Sequence, residues 1–209
     1  MQPANGKQLD REFRVWGFVL TAALLPGCAC NPAEDASVYP EEAPIISQEG
    51  GYWCWAASGQ MILAHLGVSA PQCDQANRHF GLAHCCGAAG TVAASPLDSK
   101  CDNGAFPQFE KYGYSARSTQ DSELSWKQIQ KQIACRKRPF AFSWHYKEGG
   151  GHMMVAVEYQ TDGPSQLVCR VDPAAEDYDC IPYQYYVAGS DHSHWNDLYD
   201  FELIGPEDR

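Results

Sequence analysis

Two kinds of hydrophobic spacing divide the chain. From Cys54 onward, Ala56, Ala57, Met61, Ile62, Leu63, Ala64 and Leu66 bring good helix formers in close succession, and Gly67 supplies a stop, so a helix is predicted over this stretch. A second helix is predicted after Ser125, which forms a capping box with Gln128 at the third helical position. Trp126, Ile129 and Ile133 then fall at i, i+3 and i+7 and give it one buried face; the basic residues Arg136 to Arg138 suit its negative end, and Pro139 prevents continuation. Between these helices, Ser69 to Ser99 is broken by Gly81, Gly87 and Gly90 and reads as short helical turns joined by loops. Phe106, Phe109, Tyr112 and Tyr114 are expected to close this helical half as packing residues. Beyond Pro139 the period shortens to two. Phe140, Phe142 and Trp144 alternate with smaller residues, His152 to Tyr159 sets Met153, Val155, Val157 and Tyr159 against His152, Met154, Ala156 and Glu158, and Gln166 to Val171 returns across the turn at Asp162-Gly163-Pro164. Tyr183 to Val187 and Leu198 to Ile204 are predicted as further strands. A helical lobe followed by an antiparallel sheet is an α+β arrangement, with a site where the two meet.

Composition narrows the setting. The 209 residues, 44% hydrophobic, bury a sizeable core and suit one domain once a leader is removed. A net charge of −11 and an isoelectric point near 4.9 leave no electrostatic footprint for nucleic acid or an anionic lipid surface. Residues 1–28 have a signal-peptide layout: Lys7, Arg11 and Arg14 precede the apolar run Val15 to Leu25, which is too short to span a bilayer. The run ends at Leu25-Pro26-Gly27-Cys28, which resembles the lipobox of bacterial lipoproteins and implies a lipid anchor at Cys28. Residues 29–44, with Pro32, Pro40, Pro44 and the Glu41-Glu42 pair, read as a tether, leaving 45–209 as the domain.

Setting aside Cys28 and Cys54, eight of the ten cysteines remain: Cys30, Cys73, Cys85, Cys86, Cys101, Cys135, Cys169 and Cys180. An even set of this size permits up to four bridges in an oxidising compartment, with the connectivity left open. The rival is a zinc site from Cys73, His79, His84, Cys85, Cys86 and Cys101, but the region lacks a clean pair of Cys-x-x-Cys or His-x-x-x-His elements. No cofactor or metal is expected.

The chemistry centres on Cys54. A cysteine in the first turn of a helix lies at the positive end of the macrodipole, which favours the thiolate. Such a nucleophile needs an imidazole partner and a third group to orient that imidazole. His152 follows the glycines Gly149, Gly150 and Gly151 and opens an apolar strand, and the hairpin is expected to set it beside Asp172 at the end of the neighbouring strand. Asn196, next to Trp195, is a second candidate for the third group, while His145, His192 and His194 compete with His152. The last two sit in a polar Ser190 to His194 run, read as a solvated turn or a metal or substrate contact. Trp53 and Trp55 flank the nucleophile as packing residues or cleft walls.

The segment Gln48 to Ala57, the glycine-led His152 and the Val171-Asp172-Pro173 turn together resemble the papain-like cysteine peptidases, in particular the compact bacterial branch that includes bacteriocin-leader peptidases and plant-pathogen effector proteases. The resemblance covers roughly Gln48 to Asp172. It implies a helical lobe, with the nucleophile helix, packed on a C-terminal antiparallel sheet, a Cys54-His152-Asp172 triad, and a Gln48 side chain that donates to the oxyanion. Together with the leader and the cysteine count, it points to an exported enzyme, expected to be a monomer, acting on a peptide or protein at the bacterial cell envelope or secreted, whose contact with membrane is confined to a lipid on Cys28. Two alternatives keep the same residues: acyl transfer of the transglutaminase or deamidase type, and a catalytically inert surface lipoprotein that uses the fold as a binding module.

Overall fold

The computed structural model describes residues 30–33, 35–38, 45–88, 92–93, 98–205 and 207, so the leader and lipobox readings lie outside the described residues. Element order is β1 (Ala36–Ser37), α1 (Cys54–His65), α2 (Gln72–Phe80), a short 3₁₀ turn (Phe109–Tyr112), β2 (Tyr114–Ser118), α3 (Trp126–Gln130) running into a π-helical turn (Lys131–Cys135), β3 (Phe140–Tyr146), β4 (Gly151–Asp162), β5 (Ser165–Asp172), β6 (Asp177–Pro182), α4 (Tyr183–Val187) and β7 (His192–Leu203). The strands form one antiparallel sheet in the order β2-β7-β3-β4-β5-β6, with β1 pairing β4 beside that path. The two longest helices, α1 and α2, precede all but the two-residue strand β1 of this sheet, in keeping with the α+β reading.

The helix signals act locally. α1 starts at Cys54, ends at His65 and is followed by Gly67 at φ 81°, a conformation that glycine adopts without a Cβ penalty. Ser125 and Gln128 form the expected reciprocal capping box at the start of α3.

Both faces of the sheet are covered. On one, α1 packs Trp53, Trp55, Ile62 and Leu63 against Met153, Val155, Val157, Val171 and Phe201. On the other, Leu124, Ile129 and Ile133 pack against Phe140, Phe142, Trp144, Met154 and Tyr186. β4 is therefore buried on both sides through Met153 to Val157. A bulge between Ala156 and Glu158 then reverses its facing, which sends Tyr159 to the α3 side while Val157 stays on the α1 side.

Two predicted elements are corrected. Tyr183 to Val187 is a helical turn, because Tyr183 and Tyr186, three apart, both pack inward, Tyr183 on Trp126 and Tyr186 on Phe142, leaving Tyr185 more exposed. The Ser190 to His194 run is no solvated turn at its distal end: β7 begins at His192, whose ring is wholly buried and stacked on Trp144 at a centroid distance of 3.7 Å.

The eight cysteines form four disulfides, Cys30–Cys135, Cys73–Cys86, Cys85–Cys101 and Cys169–Cys180. The zinc alternative is thereby removed, since each sulfur it required is already bonded to another. Bridges of this number suit an extracellular or periplasmic setting, and among the described residues no helix is long and apolar enough to cross a membrane. Part of the stretch read as a tether is fixed to the body: Ala36 and Ser37 pair with Tyr159 and Glu158, the Tyr159 hydroxyl donates to the Ala33 carbonyl at 2.7 Å, and Cys30 is bridged to Cys135.

Candidate active site

The nucleophile candidate is set by its approach loop. Trp53 donates its backbone N–H to the Gly50 carbonyl at 3.3 Å, which turns the chain into α1 with Cys54 as its first residue. First-turn N–H groups have no partner inside a helix, so the Cys54 amide lies beside its own sulfur in a donor-rich corner. Cys54 is half-buried and is the free cysteine among the described residues. Trp53 and Trp55 are packing residues: both are buried, and their indole N–H groups donate to the carbonyls of Cys101 at 2.8 Å and Asn103 at 3.0 Å. Between them in the same loop, Asp102 Oδ1 accepts from the Tyr52 N–H at 2.9 Å. The Cys85–Cys101 disulfide fixes that loop, so a bridged segment some fifty residues away shapes the entrance to α1.

The sheet supplies the partners. Val155 pairs with Val171, which makes His152 and Asp172 diagonal neighbours near the ends of β4 and β5, within side-chain reach across the strands. His152 Nε2 and Asp172 Oδ1 are 2.7 Å apart, and Cys54 lies close enough to the same imidazole to influence its charge. Gly151 allows the close packing required here, because a Cβ would come within 2.7 Å of the Trp195 ring and 2.8 Å of the Trp144 carbonyl. Trp195 in turn meets Phe106 edge-on, at a centroid distance of 5.1 Å, so an aromatic contact joins the two halves next to His152.

Charge follows from this geometry. Burial by itself would lower the His152 pKa, but the hydrogen bond to Asp172, its negative charge and the neighbouring Cys54 outweigh it and raise the value to about 9. Burial pushes the Asp172 carboxyl up, yet His152 and the backbone N–H groups of Ala174 and Ala175, at 2.9 and 3.3 Å, hold it below the ordinary carboxylate range. At neutral pH this is an imidazolium held by the Asp172 carboxylate.

Gln48 is also brought to the site, and its backbone N–H donates to the Pro173 carbonyl at 2.9 Å, one residue past Asp172. Its side chain, however, is turned into the approach loop: Nε2 lies 3.0 Å from the Gly50 carbonyl and 2.9 Å from that of Gly51, while Oε1 is buried without a partner. The competing residues lie elsewhere. Asn196 Oδ1 accepts from the Ser118 hydroxyl at 2.7 Å and the Gln120 N–H at 3.0 Å. His192 contacts Asp191 and the Tyr185 carbonyl, and His194 contacts Asp197 and the Tyr186 carbonyl. His145 is exposed and leans on Trp195.

Sequence reasoning missed Gln72, Asp102 and the Cys101 and Asn103 carbonyls. Nothing in local pattern marks them, because their role depends on contacts over 23 to 50 positions.

A helix-borne free cysteine thus lies beside a strand-borne histidine and aspartate. The chain belongs to the Peptidase_C39 like family, whose model matches residues 40–198, and is accordingly a cysteine peptidase. Among solved structures it is similar to xylellain, a cysteine protease from Xylella fastidiosa, with 12% identity, a TM-score of 0.45, and coverage of 81% of this chain and 87% of the other. No curated protein sequence matches it.

Proposed function

We propose that the protein is an exported peptidase that hydrolyses peptide or protein substrates through a thioester on Cys54, with His152 and Asp172 as its partners and Gln48 at the oxyanion. The observation that carries this reading is the meeting of Cys54, His152 and Asp172 from three separate elements, with His152 Nε2 2.7 Å from Asp172 Oδ1 and Cys54 next to the imidazole. Disulfides on eight cysteines support the export part, since such bonds persist in oxidising compartments.

In this mechanism the Cys54 thiolate attacks the scissile carbonyl carbon, and the carbonyl electron pair moves onto oxygen. The Cys54 N–H donates to that oxyanion. Gln48 joins it once its amide releases one of the glycine carbonyls that it now contacts. Collapse expels the amine, which takes its proton from His152, and leaves the acyl group on sulfur. Neutral His152 then removes a proton from water, whose oxygen attacks the thioester; the acid leaves, and the thiolate and imidazolium return. Asp172 keeps the ring oriented and its proton in place throughout.

The test uses purified protein and a peptide library, with product analysis by mass spectrometry and labelling by a thiol-directed electrophile. Cys54→Ala is expected to abolish both cleavage and labelling. Undiminished labelling of that variant would move the nucleophile elsewhere, and amide exchange onto an added amine without chain cleavage would replace hydrolysis with acyl transfer.

A further inference from the structure

The loop that carries Gln48 is gripped by a buried side chain from α2. Gln72, the first residue of α2, is wholly buried, and its amide is used at both ends. Oε1 accepts the Glu49 N–H at 2.8 Å, and Nε2 donates to the Ser47 carbonyl at 2.8 Å. The two peptide groups that flank Gln48 are thus held by one side chain. Nε2 also lies 3.2 Å from Gln60 Oε1 on α1, which ties the grip to the helix that begins with Cys54. Gln72 itself has little freedom, since it follows Pro71 and precedes the bridged Cys73.

We propose that Gln72 is a positioning residue for Gln48: it fixes residues 47 and 49 against α1, so that the amide of residue 48 meets the oxyanion formed at Cys54. This rests on the reading of Gln48 given above. The amide is suited to the task by its two opposite polarities. A glutamate would still accept from Glu49 but would turn a carboxylate oxygen toward the Ser47 carbonyl, and a methionine of similar length would satisfy neither group.

The experiment measures kcat and KM on a fluorogenic peptide cleaved by the full-length enzyme, along with the rate of Cys54 alkylation by iodoacetamide. The variants are Gln48→Ala, Gln72→Met, Gln72→Glu and the pair Gln48→Ala with Gln72→Met, with Cys54→Ala as the inactive reference. Loss of an oxyanion donor in Gln48→Ala is expected to lower kcat by about 10² to 10³. Misplacing the same donor in Gln72→Met should lower it by roughly 10- to 100-fold, with KM and alkylation rate little changed. In the Gln48→Ala background, Gln72→Met should lower kcat no further.

Wild-type kcat in Gln72→Met, or an equal loss with and without Gln48, overturns the proposal while leaving the peptidase reading intact. Full kcat in Gln48→Ala alongside an inactive Cys54→Ala removes the oxyanion reading itself, which is a different pattern. Should Gln72→Met fail to fold, Gln72→Glu, which keeps the Glu49 contact, carries the same comparison: a fall in kcat that vanishes in the Gln48→Ala background supports the proposal, and a fall that persists there overturns it.

Discussion

The two halves of the molecule reach the same precision by different means. His152 and Asp172 sit on β4 and β5, where continuous pairing fixes each backbone group before any side chain is considered. Cys54 and Gln48 come from a region with two modest helices, in which position is set by isolated contacts: the Gln72 amide, the Trp53 and Trp55 indoles, Asp102, and the bridges Cys73–Cys86 and Cys85–Cys101. A sheet tolerates the loss of one contact because its neighbours repeat it. The helical half has no such repetition, so each contact there should matter individually to catalysis.

The largest effect expected from breaking this contrast comes from the sheet side of the proposed triad. Asp172→Ala should lower kcat by about 10² to 10⁴, the range associated with positioned proton transfer, because His152 loses its orienting partner; steady-state kinetics with intact circular dichroism would check it. A kcat close to wild type would make Asp172 an ordinary turn residue before Pro173.

Next comes a matched pair of disulfide deletions. Removing Cys85–Cys101 or Cys169–Cys180 by double alanine substitution should cost comparable global stability, about 3 kcal/mol each for loops of these lengths. Their effects on turnover should differ: roughly 10- to 100-fold lower kcat for the first, through a displaced nucleophile loop, and near wild-type kcat for the second. Denaturant melts and kinetics on the same samples separate the two quantities, and equal losses of turnover would erase the distinction drawn between the halves.

Smaller still is the response to pH. The folded chain holds the His152 proton more tightly than an ordinary histidine of about 6.5. Stabilisation from this ion pair is therefore fully present below that ordinary value and fades as pH rises through about 9. A pH–rate profile is expected to fall on its alkaline side near the same value, and Asp172→Asn should move that limb to lower pH. An alkaline limb that stays put in Asp172→Asn would separate the carboxylate from the imidazolium. Least affected of all should be turnover after loss of Cys30–Cys135, despite a stability cost of about 4 to 5 kcal/mol for its long loop.

What could be read from the chain was what local chemistry determines. Cys54 opens its helix where the run of helix formers begins, Ser125 and Gln128 cap theirs, and the hairpin delivers His152 to Asp172 through its register. Misreadings fell where distant packing decides. The aromatic alternation of Tyr183 to Val187 suggests a strand, but Tyr183 and Tyr186 find partners on Trp126 and Phe142 only as a helical turn. The polarity of Asp191, His192 and His194 suggests solvent, yet both rings are buried against aromatic neighbours and bonded to carboxylates. Gln48 illustrates the limit most directly. Its spacing from Cys54 is plain in the sequence, but the rotation of its amide toward the Gly50 and Gly51 carbonyls is set by contacts that no spacing encodes.

The pairing of β1 with β4 has a practical side. It occurs at Glu158 and Tyr159, on the order of 20 Å along the strand from His152 at about 3.3 Å per residue. Cys30 is bridged to Cys135 just before β3, at the end of the sheet remote from His152. Any cargo, affinity handle or solid support joined upstream of Cys30 would therefore hold the protein at the side remote from His152, leaving the face around His152 and Asp172 clear.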